Sequence, residues 1–124
     1  MPNKKILIVE DDSFLQGLMS KKLMAEGFEI SIALTGTDAV KLLDGGLIPD
    51  LIILDILLPG MAGLEFLANL RAREALKTTP VIIFSNFSDE KDIQKAKELG
   101  VTEYMIKANF TLDELSAKLK TLIK

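Results

Sequence analysis

The chain has 124 residues, a length that suits one domain built on one core. Hydrophobic residues make up 48% and charged residues 27%, an ordinary globular balance, and the net charge of −3 disfavours a nucleic-acid-binding surface. There is no cysteine and no histidine, which excludes disulfides, thiolate metal sites, the usual zinc ligand and the usual general base. No apolar run approaches the ~20 residues of a membrane span. Residues 6–9 are too short for the core of a signal peptide, so a cytoplasmic location is expected.

Residues 6–9, Ile-Leu-Ile-Val, form the first apolar run, and Glu10, Asp11 and Asp12 follow at once. Ser13 then precedes an amphipathic stretch with Leu15, Leu18, Met19 and Leu23 at helical spacing, which Gly27 is placed to end. Residues 30–33 read as a short second strand. Thr35 and Asp38 have capping-box-like spacing before a helix carrying Ala39, Val40 and Leu43, stopped by Gly45 and Gly46. Residues 51–54 are four apolar residues in a row, the pattern of a strand buried on both faces. That strand ends in a carboxylate, Asp55, and Pro59, Gly60 and Gly63 force a loop. Leu64, Leu67 and Ala68 mark a third helix, ending before Thr79 and Pro80. Residues 81–84 form a fourth buried strand, ended by Ser85 and Asn86. Ser88, Asp89 and Glu90 start a fourth helix with acids at its positive end; it carries Ile93 and Ala96 and stops at Gly100. Residues 104–106 form a fifth strand, followed by Lys107. Thr111 and Glu114 are a capping box for a last helix with Leu112, Leu115, Leu119 and Leu122 on one face.

Five alternating strand and helix units predict an α/β fold with a parallel sheet covered on both faces, joined by right-handed crossovers. All strands then end on one edge, where an open α/β sheet places its chemistry. Glu10 and Asp11 follow strand one, Asp55 ends strand three, Ser85 ends strand four and Lys107 ends strand five. Three converging carboxylates repel, so without a counter-ion at least one must bind its proton more tightly. A hard divalent cation resolves this, and Mg²⁺ fits a site with few protein ligands. Lys107 adds a point charge suited to a phosphate-like anion, and Ser85 a hydroxyl donor. A carboxylate so flanked is equipped to attack a phosphoryl group.

In these residues the chain resembles the receiver domains of two-component response regulators, over essentially its whole length. The resemblance rests on the acidic turn after residues 6–9, on Asp55 with Pro59 and Gly63 in a D-x-x-x-P-x-x-x-G loop, on Ser85, and on Tyr104-Met105-Ile106-Lys107. It implies a flavodoxin-like, doubly wound (βα)5 fold with strand order 2-1-3-4-5. By this resemblance Asp55 is the phosphoacceptor, Asp11 binds Mg²⁺ directly, Glu10 holds it through water, and the backbone carbonyl of Leu57 is a further ligand. Asp12 is expected to cap the first helix. Ser85 would bind a phosphoryl oxygen and shift inward on phosphorylation, and Lys107 would pair with Asp55 or its phosphate. Tyr104 matches a switch aromatic, though an ordinary half-buried strand aromatic is nearly as good a reading.

Three positions depart from the family pattern. Ala108 stands where proline is usual after the lysine. Asn86 stands where alanine or glycine is usual, and its bulk is expected to narrow access to Asp55. Leu57 and Phe87 flank the phosphoryl position, and neither can orient a water, which predicts a long-lived phosphoaspartate. The expected function is a stand-alone receiver, residues 1–124 with no output domain, that is not an enzyme in its own right. It would be phosphorylated by a histidine kinase or phosphotransfer protein and would signal to another protein through its fourth helix, fifth strand and fifth helix. It would be a monomer or a phosphorylation-dependent dimer, with no direct nucleic-acid or membrane partner. Two alternatives share the residues: a pseudo-receiver that binds without phosphorylation, and, less favoured, a phosphoaspartate-forming hydrolase.

Overall fold

Each strand alternates its side chains between two faces, and in the three central strands both faces are apolar. The computed structural model describes residues 3–57, 62–86 and 89–123. It contains β1 (Lys5–Val9), α1 (Ser13–Ala25), β2 (Glu29–Ala33), α2 (Gly36–Asp44), β3 (Leu51–Leu54) and α3 (Gly63–Arg71). These are followed by β4 (Val81–Ser85), α4 (Glu90–Glu98), β5 (Glu103–Ile106) and α5 (Leu112–Leu122). The strands form one parallel sheet in the order β2-β1-β3-β4-β5. The expected doubly wound fold and strand order are therefore those observed.

The period of two along the strands divides the core. Leu7, Val9, Ile52, Leu54, Val81 and Ile83 face one way and pack with Ala39, Leu43, Phe66, Leu67, Leu70 and Ala96 from α2, α3 and α4. Ile6, Ile8, Leu51, Ile53, Ile82 and Phe84 face the other way and pack with Met19, Leu23, Leu115 and Leu119 from α1 and α5. The central strands read as continuous apolar runs because neither face meets water.

The helix ends follow their local signals. Asp12 caps α1, its Oδ1 accepting from the backbone N–H of Phe14 and Leu15 at 3.0 and 3.1 Å. The Thr111–Glu114 capping box opens α5 with both reciprocal bonds formed. Gly27 and Gly46 end α1 and α2 with φ of +96° and +106°, a region where a side chain is strained.

Packing corrects three sequence expectations. Leu18 is 42% exposed and shares a solvent-facing stripe with Phe14, one turn earlier and 76% exposed. Ala68 is exposed; Phe66 and Leu70 take the core positions of α3. That helix also stops at Arg71, well before Thr79, although residues 72–77 contain good helix formers. A 3-10 turn, Glu74–Leu76, replaces it and delivers Leu76 to the core. Arg71 fixes the break. Its guanidinium donates to the carbonyls of Leu76 (3.0 Å), Thr79 (2.8 Å), Leu99 (2.8 Å) and Gly100 (2.9 Å). The last two are carbonyls at the end of α4 with no partner within the helix.

The face opposite these helices has its own polar tie. Buried Ser116 of α5 donates to Glu26 Oε1 at 2.7 Å across 90 residues, and Lys120 lies 3.2 Å from the same carboxylate. The Ser116 hydroxyl, more than the lysines, holds the Glu26 carboxyl below its ordinary value against the opposing effect of burial. A carboxyl held low in the folded state contributes stability above its unfolded pKa and loses it as pH falls through the folded value. Ser116→Ala is expected to destabilise the domain by about 1–2 kcal/mol at pH 7, as for a hydrogen bond to a charged group. The deficit should shrink as the pH falls to about 3, well below the usual carboxylate pKa. Urea denaturation at the two pH values checks this, and an equal deficit at both would refute it.

Candidate functional site

The parallel register brings the polar groups together. The β1–β3 ladder ends with Val9 opposite Leu54, and the next residues on each strand are Glu10 and Asp55. Both are held by backbone bonds that continue the ladders: Glu10 N–H to Ala33 O and Asp55 N–H to Val9 O, each 3.0 Å. Ser85 is the last residue of β4 and pairs with Ile106, so Lys107 leaves β5 beside it.

Asp55 is buried, and among the described residues three donors hold its carboxylate. Ser85 Oγ donates to Oδ1 at 2.7 Å, and the backbone N–H of Leu57 donates to the same oxygen at 2.9 Å. Lys107 Nζ contacts Oδ2 at 2.6 Å. The same ammonium lies 2.6 Å from Glu10 Oε1, while Glu10 Oε2 accepts from the backbone N–H of Asp12 at 3.1 Å. Asp11 is exposed at the rim. Carboxylate oxygens of Glu10, Asp11 and Asp55 lie within 4.8 Å of one another.

The electrostatics follow from this crowding. Glu10 is 2% exposed; burial, reinforced by the Asp55 charge, raises its carboxyl above the ordinary value even though Lys107 pulls the other way. Burial alone would lower Lys107, but its contacts with Asp55 and Glu10 outweigh burial and hold the ammonium above its ordinary value. Burial, then the Asp92 and Asp55 charges, raises the Tyr104 hydroxyl. Tyr104 is half-buried and packs against the core formed with α2, α3 and α4.

Glu10, Asp11, Asp55, Ser85 and Lys107 thus meet at one edge of the sheet. Leu57 stands beside Asp55 and is 53% exposed. Asn86 is exposed, and its Oδ1 accepts from the backbone N–H of Ala108 at 3.0 Å. The Lys107–Ala108 peptide is trans, as are the other described bonds, and Lys107 still reaches both carboxylates. Phe87, Ser88, Pro59 and Gly60 lie outside the described residues. One structural residue of the site had no signal beyond its place in the loop motif. Gly63, the first residue of α3, donates its N–H to Ile56 O at 3.1 Å and lies against the backbone of Asp55 and Ile56.

The family model for the response regulator receiver domain matches residues 6–120. The chain belongs to the response regulator receiver family. This receiver is 36% identical over 120 residues to the phosphate regulon transcriptional regulatory protein PhoB of Rhizobium meliloti, covering 97% of the chain and 52% of PhoB. It spans about half the length of such curated relatives, or less. Its fold matches the chemotaxis protein CheY4 of Vibrio cholerae with a TM-score of 0.89 at 26% identity, covering 98% of this chain and 100% of that one. It also matches the response regulator TrrA of Thermotoga maritima, solved in complex with Mg(2+)-BeF, with a TM-score of 0.82 at 34% identity, covering 97% and 99% of the two chains. Among the described residues no helix of this receiver is long and apolar enough to cross a membrane.

Proposed function

We propose that this receiver accepts a phosphoryl group on Asp55 from a phosphohistidine donor and passes the signal on by protein–protein contact. One observation carries the reading: a buried carboxylate held by a hydroxyl and an ammonium, with two more carboxylates within reach of a shared cation. An Asp55 oxygen forms the new bond to phosphorus, the phosphorus–nitrogen bond of the donor breaks, and the imidazole leaves with a proton. Ser85 and Lys107 hold the carboxylate and would follow the phosphoryl oxygens after transfer. These residues contain no histidine, so the donor lies outside them, in a histidine kinase or phosphotransfer protein.

The donor set fits Mg²⁺: three hard oxygen ligands, one at the rim and two buried, with burial already disfavouring the charge on Glu10. Asp11 and Asp55 would hold the ion directly, Glu10 through water, and the Leu57 carbonyl would add a ligand. When bound there, Mg²⁺ supplies positive charge against the carboxylates and the incoming phosphoryl oxygens. TrrA, solved in complex with Mg(2+)-BeF, supports Mg²⁺ as the ion for this site. Leu57 offers no polar group to orient a water at Asp55, which favours slow loss of the phosphoryl group. Ser85 and Lys107 reach back from the ends of β4 and β5, so their movement would repack α4, β5 and α5, the face that would meet the downstream protein.

Intact mass after incubation with Mg²⁺ and acetyl phosphate tests the reading. A single phosphoryl addition is expected, absent in Asp55→Ala and absent with a chelator. An addition that persists in Asp55→Ala would move the phosphoacceptor elsewhere. No addition to the wild type would favour a pseudo-receiver.

A further inference from the structure

Beyond the last rung of the β4–β5 ladder there is one more tie. Ser85 pairs with Ile106, and just past them Asn86 Oδ1 accepts from the N–H of Ala108 at 3.0 Å. The neighbours of this bond are the two side chains that hold Asp55. Ser85 precedes Asn86 and reaches Asp55 at 2.7 Å; Lys107 precedes Ala108 and reaches it at 2.6 Å. Five residues therefore close a ring: Asp55, Ser85, Asn86, Ala108 and Lys107. Two of its links are peptide bonds and three are polar contacts.

Apart from the contacts of the Lys107 ammonium with Asp55 and Glu10, the segment that this tie holds is weakly closed on itself. Lys107–Asn109 is a single 3-10 turn with no side-chain cap, and its own closing bond, Phe110 N–H to Lys107 O, is long at 3.4 Å. Such turns have poor hydrogen-bond geometry. Lysine adds a flexible four-carbon stem, so the aim of its ammonium depends on where the backbone sits. The partners are also chemically matched. Alanine at 108 presents an N–H that a proline would lack, and asparagine at 86 presents a carbonyl oxygen that an alanine or glycine would lack.

We propose that Asn86 is a positioning residue for Lys107: by accepting the Ala108 N–H it holds the Lys107–Asn109 turn against the end of β4 and so aims the ammonium at Asp55. The catalytic consequence rests on Asp55 being the phosphoacceptor, whereas the aiming of Lys107 does not. This role is opposite in sign to screening of Asp55 by the bulk of Asn86.

The test compares wild type, Asn86→Ala, Asn86→Asp, Ala108→Pro and the double variant Asn86→Ala/Ala108→Pro. The first readout needs no phosphoryl donor. In ¹⁵N-lysine-labelled protein the Lys107 ammonium signal, visible only while the group is held, is expected in the wild type. It should broaden away in Asn86→Ala and return in Asn86→Asp, which keeps an acceptor oxygen. The Ala108 amide should exchange with solvent faster in Asn86→Ala. The second readout is the rate of phosphorylation by acetyl phosphate with Mg²⁺. Loss of one neutral hydrogen bond predicts a rate about 3- to 10-fold lower in Asn86→Ala. Asn86→Asp should recover most of it, and in the Ala108→Pro background Asn86→Ala should have almost no effect, because the donor is already gone. A persistent Lys107 signal in Asn86→Ala overturns the proposal, as does a faster rate or an equal effect in both backgrounds. If the wild type takes no phosphoryl group, the phosphoacceptor reading fails and the ammonium signal alone decides the role of Asn86.

Discussion

Gly63→Ala is expected to destabilise the receiver by about 2–3 kcal/mol, the upper part of the range for overpacking a tight interior. A Cβ at that position would stand 2.5 Å from Ile56 Cα and 2.9 Å from the carbonyl oxygens of Asp55 and Ile56. All three are backbone atoms, so no side chain can swing aside. Either α3 moves out, or the segment carrying Asp55 shifts and its bonds to Ser85 and Leu57 lengthen. Gly17→Ala is the control. A Cβ there meets nothing within 4 Å, and the residue lies inside α1. That change should stabilise by about 0.5–1 kcal/mol, through lower backbone entropy of the unfolded chain. Opposite shifts of the urea midpoint for one and the same substitution are the expected result. A shift of Gly63→Ala as small as that of the control would show that α3 is not wedged against the site.

Lys107→Met should lower stability by a similar or larger amount, about 3 kcal/mol at pH 7, as when one partner of a buried ion pair is removed. The ammonium is 2.6 Å from both Glu10 and Asp55, carboxylates 2% and 7% exposed at the side chain. Without it two buried carboxylates face each other with no cation between them. Glu10→Gln in the Lys107→Met background should restore much of the loss, because it removes one of the two charges. The four-protein cycle in urea, run without divalent cations, measures that coupling. Additive effects would mean that Lys107 holds the two groups by packing alone.

Much of this receiver was legible from local sequence. The apolar runs at residues 6–9, 51–54 and 81–84 are strands, and Asp12, Thr35, Asp89 and Thr111 cap the helices that follow them. Sequence pattern and structure part where local propensity meets tertiary demand. Residues 72–77 favour helix, but the chain breaks there because Leu76 has a core site to fill and Arg71 has four carbonyls to reach. Leu18 fits a helical apolar stripe as well as Met19 does, yet only Met19 meets the sheet.

The sequence by itself determined that acidic, hydroxyl and ammonium groups leave the first, third, fourth and fifth strands at one edge, because the alternation of strands and helices is written in residues close in the chain. Only the tertiary structure decided how those groups grip one another. The contacts of Ser85 and Lys107 with Asp55, Arg71 with Gly100, Ser116 with Glu26 and Asn86 with Ala108 join residues 22 to 90 positions apart. A cap or an apolar period is set within a turn or two of chain and leaves a pattern there. A contact across the sheet depends on register and on which loop crosses which edge, and neither leaves a mark in the residues on either side.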